Sequence, residues 1–516
     1  MNARAERRDA GAPTRIGEGD LLAAADIGSN SFHLVVARYE HGEPRVIDRL
    51  RENIRLAAGL RSDGSLDDVH RDMAMACLAR FGQRLRGMPA ARVRAVATNA
   101  VRRLAAPERF LAPAEAALGH PIEVVSGREE ARLIYLGVAH GIPDAPGRRL
   151  VVDIGGGSTE FIIGERLEPL KKESLQVGCV ASTLRFFGDG KLTPRRWQQA
   201  QTDIAVELQQ FAADYRAFGW DEAIGSSGTV RAIDAVLHAT GWSDHGITRA
   251  GLERLRDAVI TCGNVDNIAF PGLNEDRAGI FAGGVAILEA AFAALDIERM
   301  RVAETSMREG LLYDMIGRAE HRDPRRTSID ALAQRYAVDR AHAARVEACA
   351  LALFDQVAAD WQLGPTERDW LGWAARIHEI GLAIAHSQYH KHGAYIVEHS
   401  DLAGFARHEQ LVLAVLLRCQ RRKPDAAAVR ALPERLRLPA SRTIALLRLA
   451  VLLQRARARR TTARRIARRR PDPAIDPAAR MARRAPADRR RSGTRARLPQ
   501  AAGYQAAHCG HLSVPV

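Results

Sequence analysis

Short apolar runs that break off into small polar residues recur along the first two thirds of this chain. Residues 21–25 form one such run, which ends in Asp26, Ile27, Gly28, Ser29, Asn30 and Ser31 before apolar character returns over 32–36. Residues 150–152 form another, which ends in Asp153, Ile154, Gly155, Gly156, Gly157 and Ser158 before apolar character returns over 161–163. Apolar runs of this length, bounded by turn residues, predict buried strands. Further strands are expected at 45–50, 93–97, 122–125, 168–175 and 300–303, and a short run at 223–224 leads into the small-residue loop Gly225, Ser226, Ser227, Gly228, Thr229. Apolar spacing of three and four predicts helices at 66–86, 194–218, 275–295 and 306–318, and a turn is expected at 178–182. Strand and helix alternate twice over, the pattern of an α/β protein with two related lobes.

From about residue 321 the strand signals fade. Helical periodicity covers 329–361, 366–386, 390–399, 408–418 and 444–453, so an all-helical domain is expected there. After Thr462 the chain is Arg, Ala and Pro in low-complexity order and cannot bury a core, which predicts disorder. A polyanion-binding tail is one reading of it; translation in a shifted frame is the other, and the abrupt change favours the latter. The expected domains are therefore a disordered 1–20, lobes at 21–138 and 139–318, a helical domain at 319–462, and a disordered tail at 463–516.

Composition changes this picture in three places. The chain has 516 residues, enough for three or four domains, with the 47% hydrophobic and 27% charged content of a soluble globular protein. Its net charge of +15 resides almost wholly in the tail: 17 arginines against 3 aspartates from Arg455 onward carry +14. The body is close to neutral, which argues against a specific nucleic-acid partner. Six cysteines without paired spacing, a polar first 20 residues and no apolar run of membrane length point to reduced thiols and a cytoplasmic setting.

The stretch DIGGGSTE, from Asp153 to Glu160, carries the first chemical signal. Three glycines let the backbone turn sharply and aim N–H groups at one spot, the geometry of a phosphate cradle. Flanking carboxylates would repel that ligand unless a divalent cation, a mobile proton or an activated water lay between, so phosphoryl chemistry with a metal is indicated. A hairpin turn with solvated acids is the alternative. Asp26, Gly28 and Ser31 repeat Asp153, Gly155 and Ser158 at a spacing of 127 residues, which suggests duplicated turns facing each other across a cleft. Thr98 and Arg102 follow a strand end, where anions are met in open sheets. Ser126 and Glu129 make a capping-box pattern, which leaves Glu130 in the first helical turn as either a surface residue or an ionised base. The helical region is rich in histidine (His342, His378, His386, His390, His392, His399, His408), so a metal site there is a further candidate.

With DIGSNSFHLVVA, ATNAVR, SGREEARLIYLGV, DIGGGSTEFIIG, VGCVAS, GSSGT and MREGLLYDM in this order, the chain resembles the exopolyphosphatase and guanosine pentaphosphate phosphohydrolase (Ppx/GppA) family over about residues 20–462, and the long bacterial exopolyphosphatases most. The resemblance implies two duplicated ribonuclease-H-like lobes of the actin, Hsp70 and sugar-kinase superfamily, followed by an all-helical domain similar to the HD phosphohydrolases. It implies Mg²⁺-dependent, processive release of orthophosphate from the end of inorganic polyphosphate. Hydrolysis of the 5′-terminal phosphate of pppGpp is the alternative, and a non-catalytic polyanion-binding module is another. A cytoplasmic homodimer is implied as well. Carried over by position, Glu130 would orient or deprotonate the attacking water, Asp153 and Glu160 would assist and hold magnesium, and Asp26 would face the metal. Ser31, Thr98, Arg102, Gly155, Gly156, Gly157 and Ser158 would grip phosphate, and Gly228 would lie in the nucleotide-side loop. The chain departs from the family's DGALREG at Glu304 to Gly310, where only Arg308, Glu309 and Gly310 of the last three letters remain. His378 and Glu379 stand in the place of the His–Asp pair and Gln454 near that of the last aspartate, so the helical domain is expected to be structural or to guide a polyanion.

Overall fold

The computed structural model describes residues 16–143, 146–320 and 323–455, all within one compact unit that runs from Met1 to Ile466. The tail expected at 463–516 lies outside the described residues, as do residues 1–15.

The first sheet is built from β1 (Leu21–Ile27), β2 (Ser31–Glu40), β3 (Glu43–Asn53), β4 (Val93–Ala97) and β5 (Ile122–Val124), in the order β3-β2-β1-β4-β5. β1 pairs antiparallel with β2 and parallel with β4. The helices of this lobe are α1 (Asp68–Leu85), α2 (Asn99–Arg102), α3 (Pro107–Leu118) and α4 (Gly127–Gly141). Alternation along β1 divides its side chains: Ala23, Ala25 and Ile27 pack with α1 and α3, whereas Leu22 and Ala24 join a second core with α4. Asp26 shares the parity of Leu22 and Ala24, so it lies on the α4 face.

The second lobe repeats the plan. β6 (Arg148–Ile154), β7 (Thr159–Glu165) and β8 (Glu168–Leu175) form a meander, followed by α5 (Cys179–Phe187), α6 (Pro194–Gln209), α7 (Ala212–Phe218), β9 (Glu222–Ser226), α8 (Ser227–Ala239), β10 (Ile247–Thr248), α9 (Arg249–Thr261), α10 (Glu275–Leu295), β11 (Arg299–Val302) and α11 (Met307–Ala319). The order β10-β11-β9-β6-β7-β8 contains the first sheet's order, with β10 added at one edge. The registers coincide as well: Asp26 faces His33 across β1 and β2, Asp153 faces Glu160 across β6 and β7, and each second strand carries a bulge, after Val36 and after Ile163. The equivalent positions, Asp26 and Asp153, His33 and Glu160, Val36 and Ile163, are each 127 residues apart in sequence.

Leu22, Ala24 and Val35 of one sheet, Val151 and Ile162 of the other, and residues of α4 and α11 share one core, so the inner faces of both sheets close on these two helices. α10 is long and apolar enough to cross a membrane by composition, yet Phe281, Leu288 and Phe292 are fully or nearly fully buried in the second lobe's core. Burial of such side chains contributes about 1.5–3 kcal/mol each.

The helical part comprises α12 (Pro324–Arg335), α13 (Arg340–Val357), α14 (Pro365–Ile377), α15 (Tyr389–His399), α16 (Arg407–Cys419), α17 (Ala426–Arg430) and α18 (Glu434–Leu453), with its own core. Several expected elements differ in the structure, among them the helix expected at 366–386, which ends at Ile377 and is followed by a 3₁₀ turn at Ile380–Ala383. The helix expected at 329–361 stops at Arg335 because Ala337 turns left-handed (φ 47°), and Asp339 caps a new helix by accepting the N–H of His342 at 2.9 Å. The helix expected at 194–218 breaks around Phe211, and the turn expected at 178–182 is the first turn of α5.

Candidate active site

The two duplicated loops meet. A Cβ at Gly156 would lie 3.1 Å from the Asn30 Cβ, and one at Gly157 would lie 2.5 Å from the Asn99 Oδ1 and 3.0 Å from the Ser29 Oγ. None of Gly155, Gly156 and Gly157 has positive φ. At Gly156 and Gly157 a side chain is excluded by the close approach of Ser29, Asn30 and Asn99. Loop carbonyls are tied back on both sides. Gly155 O accepts the N–H of Cys179 at 2.9 Å and Gly156 O that of Val180 at 3.0 Å, while Asn30 O accepts from Arg55 at 2.7 Å and Ser29 O from Ala57 at 2.9 Å. Carbonyl oxygens, which would repel an anion, are thereby engaged away from the cleft.

The cleft between these loops is lined by Asp26, Glu130 and Asp153 together with Ser31, Thr98, Gly155, Gly156, Gly157, Ser158 and Gly228. Two of the residues selected from sequence stand behind this wall. Arg102 donates from Nη1 to Glu130 Oε2 and to the Val125 carbonyl, both at 2.8 Å, so it holds the candidate base instead of lining the cleft. Glu160 is 1% exposed and accepts from Ser174 Oγ at 2.8 Å. It shares a sheet face with Asp153 but is covered. Gly228 serves a passing side chain: a Cβ there would collide with the Arg277 guanidinium. Beside it Ser227 is strained at φ 89°, and its Oγ accepts the N–H groups of Thr229 and Val230 at the start of α8.

Charge in the site is set by burial. Asp26 is pushed up to about 7, first by burial, against the pull of Arg308 and with the push of Glu130 and Asp153. Burial also raises Asp153, which Ser306 opposes by donating its hydroxyl to Oδ2 at 2.8 Å. Glu160 is raised well above the carboxylate range by burial, then by Glu130 and Asp153. Glu130 is raised by burial, and Arg102 is the largest influence holding it down. The Asp26 Oδ1 is buried with no hydrogen-bond partner. An orphaned carboxylate oxygen amid clustered acids is a donor set that would suit a hard divalent cation, and Asp26 and Asp153 are the members of it that line the cleft with Glu130.

The cleft also carries cationic side chains, to which the sequence reading assigned no role. Arg51 of β3, Arg231 of α8, Arg277 of α10 and Arg308 of α11 all reach the cleft. Burial, then the neighbouring Arg51 and Arg231, push Arg277 down to about 10. His33 was missed too, although strand alternation from Asp26 places it on the inner face. Its Nδ1 lies 3.0 Å from Arg308 Nη1 and its Nε2 lies 2.8 Å from Ser31 Oγ. Despite the altered sequence at 304–310, that segment contacts the site closely through Ser306 and Arg308.

Glu129 completes only half of the expected capping box. Ser126 Oγ accepts its N–H at 3.2 Å, but the carboxylate binds Arg132 at 2.8 Å and accepts the N–H of Gly404 in the helical part at 2.8 Å. The seven histidines do not gather: among the described residues, His342 and His378 come together with Glu379, ligand atoms within 4.8 Å of one another.

Residues 35–319 match the Ppx/GppA phosphatase family, and residues 325–473 match Ppx/GppA phosphatase domain III. The chain is 40% identical over 402 residues to a guanosine-5′-triphosphate,3′-diphosphate pyrophosphatase of Aeromonas hydrophila subsp. hydrophila, covering 78% of this chain and 81% of that protein. Its fold is similar to that of an exopolyphosphatase from Cytophaga hutchinsonii, with 24% identity, a TM-score of 0.53, and 58% and 98% of the two chains covered. The family member from Aquifex aeolicus is similar too, with 25% identity, a TM-score of 0.50, and 58% and 99% covered. The duplicated sheets share the fold of these two solved relatives, and a helical domain follows them.

Proposed function

Because the chain belongs to the Ppx/GppA phosphatase family, hydrolases of phosphoanhydride bonds, we propose that it removes the 5′-terminal phosphate of guanosine 5′-triphosphate 3′-diphosphate. One observation carries the chemistry. Glu130, fixed by Arg102, shares a cleft with the glycine loop and a wall of arginines. The 40% identical pyrophosphatase of Aeromonas favours this nucleotide over the polyphosphate that the sequence put first.

In this reading Ser31, Thr98, Ser158 and the loop amides hold the terminal phosphoryl group, and Glu130 accepts a proton from a water aimed at its phosphorus. The new P–O bond forms as the bridging anhydride bond breaks, and the leaving oxygen departs on the shortened chain beside the arginines. A magnesium ion at Asp26 and Asp153 would supply neutralisation of phosphate charge. The five described cysteines are free thiols, consistent with a cytoplasmic setting.

Polyphosphate is the second reading, favoured by the wall itself: among the described lining residues there are arginines but no Phe, Tyr or Trp on which a base would stack. Phosphate release from pppGpp and from long-chain polyphosphate, with and without Mg²⁺, tests both. Faster turnover of pppGpp supports the first reading and faster turnover of polyphosphate the second. No release from either by the intact chain, or full activity in Glu130→Gln where a loss of roughly 10²–10⁴-fold is expected, would refute the mechanism.

A further inference from the structure

The duplicated register sets one residue of each second strand opposite the aspartate of each central strand. In the second lobe that residue is Glu160; in the first it is His33. Carboxylate and imidazole thus occupy equivalent places on two inner faces, and the first lobe's half of the cleft is organised by a ring.

We infer that His33 is a positioning residue: the chain Arg308–His33–Ser31 fixes one tautomer of the imidazole and thereby commits the Ser31 hydroxyl proton to an oxygen of the bound phosphate. The phosphate ligand rests on the reading above; the polarity of the chain rests on geometry alone. A guanidinium has donors and no acceptor, so at 3.0 Å from Arg308 the His33 Nδ1 must present its lone pair. A neutral imidazole then carries its one proton on Nε2, which donates to Ser31 Oγ at 2.8 Å. Ser31 is left an acceptor toward the ring, so its own proton must find another acceptor, and Ser31 lines the cleft.

The alternative, a doubly protonated ring, would place a cation against Arg308 with Arg51, Arg231 and Arg277 near it. Burial and these four arginines push His33 down to about 2. The ring therefore stays neutral through the physiological range, and the polarity of the chain does not reverse with pH.

The test uses the full chain labelled with ¹⁵N-histidine. The resonances lost on His33→Gln should be those of a neutral ring protonated at Nε2, unchanged between pH 5 and 8. A ring protonated at Nδ1, or one that titrates in this range, overturns the inference whether or not the protein hydrolyses pppGpp. Kinetics give a second arm. His33→Glu, an acceptor toward both neighbours, turns the Ser31 proton away from the ligand and should lower kcat/KM for pppGpp or polyphosphate roughly tenfold to a hundredfold, the range of a charge-assisted hydrogen bond. Ser31→Ala should then add little in that background. His33→Gln, whose amide can accept from Arg308 and donate to Ser31, should recover most of the activity that His33→Ala loses. Equal losses in Gln and Ala variants, or full additivity of Ser31→Ala with His33→Glu, would count against the chain.

Discussion

Arg102 Nη1 and Glu130 Oε2 are 2.8 Å apart, and the same nitrogen also donates to the Val125 carbonyl. The arginine is anchored to backbone on one side and presents charge to the proposed base on the other. Burial raises Glu130, and Arg102 is the largest influence that opposes that rise. Replacing it by Gln keeps a donor but removes the charge. The acid limb of kcat/KM should then move to higher pH, with a loss of roughly tenfold or more at neutral pH. A pH–rate profile that stays in place in Arg102→Gln would show that Glu130 is not the titrating base.

Cation binding should be visible in stability before any substrate is added. Asp26 has its folded pKa raised to about 7, so its contribution to stability is complete below the unfolded value of about 3.9 and is lost as pH rises through about 7. Glu130, Asp153 and Glu160 are raised in the same direction. The metal-free protein should therefore lose stability between pH 5 and 8. Because a cation binds the ionised carboxylates, the gain in Tm on adding Mg²⁺ should be larger at pH 8 than at pH 5. Asp26→Asn should flatten the metal-free slope and reduce the Mg²⁺ gain, measured by thermal melts across that range.

A second charged centre is structural. Asp314 of α11 accepts from Arg132 of α4 at 2.6 Å and from Arg318 at 2.7 Å, and Arg94 of β4 also bonds to it; all but Arg318 are buried. Arg132 also grips Glu129, and Arg318 donates to the Gly404 carbonyl at 2.9 Å, so the network runs from the first sheet to the helical part. The surrounding arginines outweigh burial and hold the Asp314 carboxyl far below its usual range. Its contribution is thus present above about pH 3.9 and persists until pH falls through the lower folded value. Asp314→Asn leaves crowded guanidinium groups without their anion and should cost about 3–5 kcal/mol in urea unfolding at pH 7.

These centres differ in how far the sequence exposes them. Asp26 and Asp153 were legible because each ends an apolar strand in a motif repeated at fixed spacing, and the same repeat foretold a duplicated fold. The arginine wall was not. Arg51, Arg231, Arg277 and Arg308 come from four elements, and each alone is an ordinary surface arginine; only the closing of two sheets on α4 and α11 assembles them. For the glycines the sequence showed the turn, but local pattern cannot show that Asn30 and Asn99 press against Gly156 and Gly157. Glu129 misled for a related cause: its partners are Arg132, a turn away, and Gly404, 275 residues away. His33 could have been found by carrying the spacing of 127 back from Glu160.

Gly310 ties packing to chemistry most directly. A Cβ there would collide with the Leu133 carbonyl and lie 3.0 Å from the Gly137 N, so α11 approaches α4 as closely as backbone allows. α4 carries Glu130; the start of α11 carries Ser306, which holds Asp153, and Arg308, which holds His33. Gly310→Ala must push the helices apart, and overpacking of this kind costs about 1–3 kcal/mol. The displacement should also separate Ser306 from Asp153, so kcat/KM should fall even under conditions where the variant is fully folded. Urea titration gives the first quantity, and kinetics well below the unfolding midpoint give the second. A variant that is destabilised but fully active would mean that the α4–α11 contact supports the fold without setting the site. Loss of both together is the expected result, because the same backbone crossing sets the distance between the base and the groups that orient its partners.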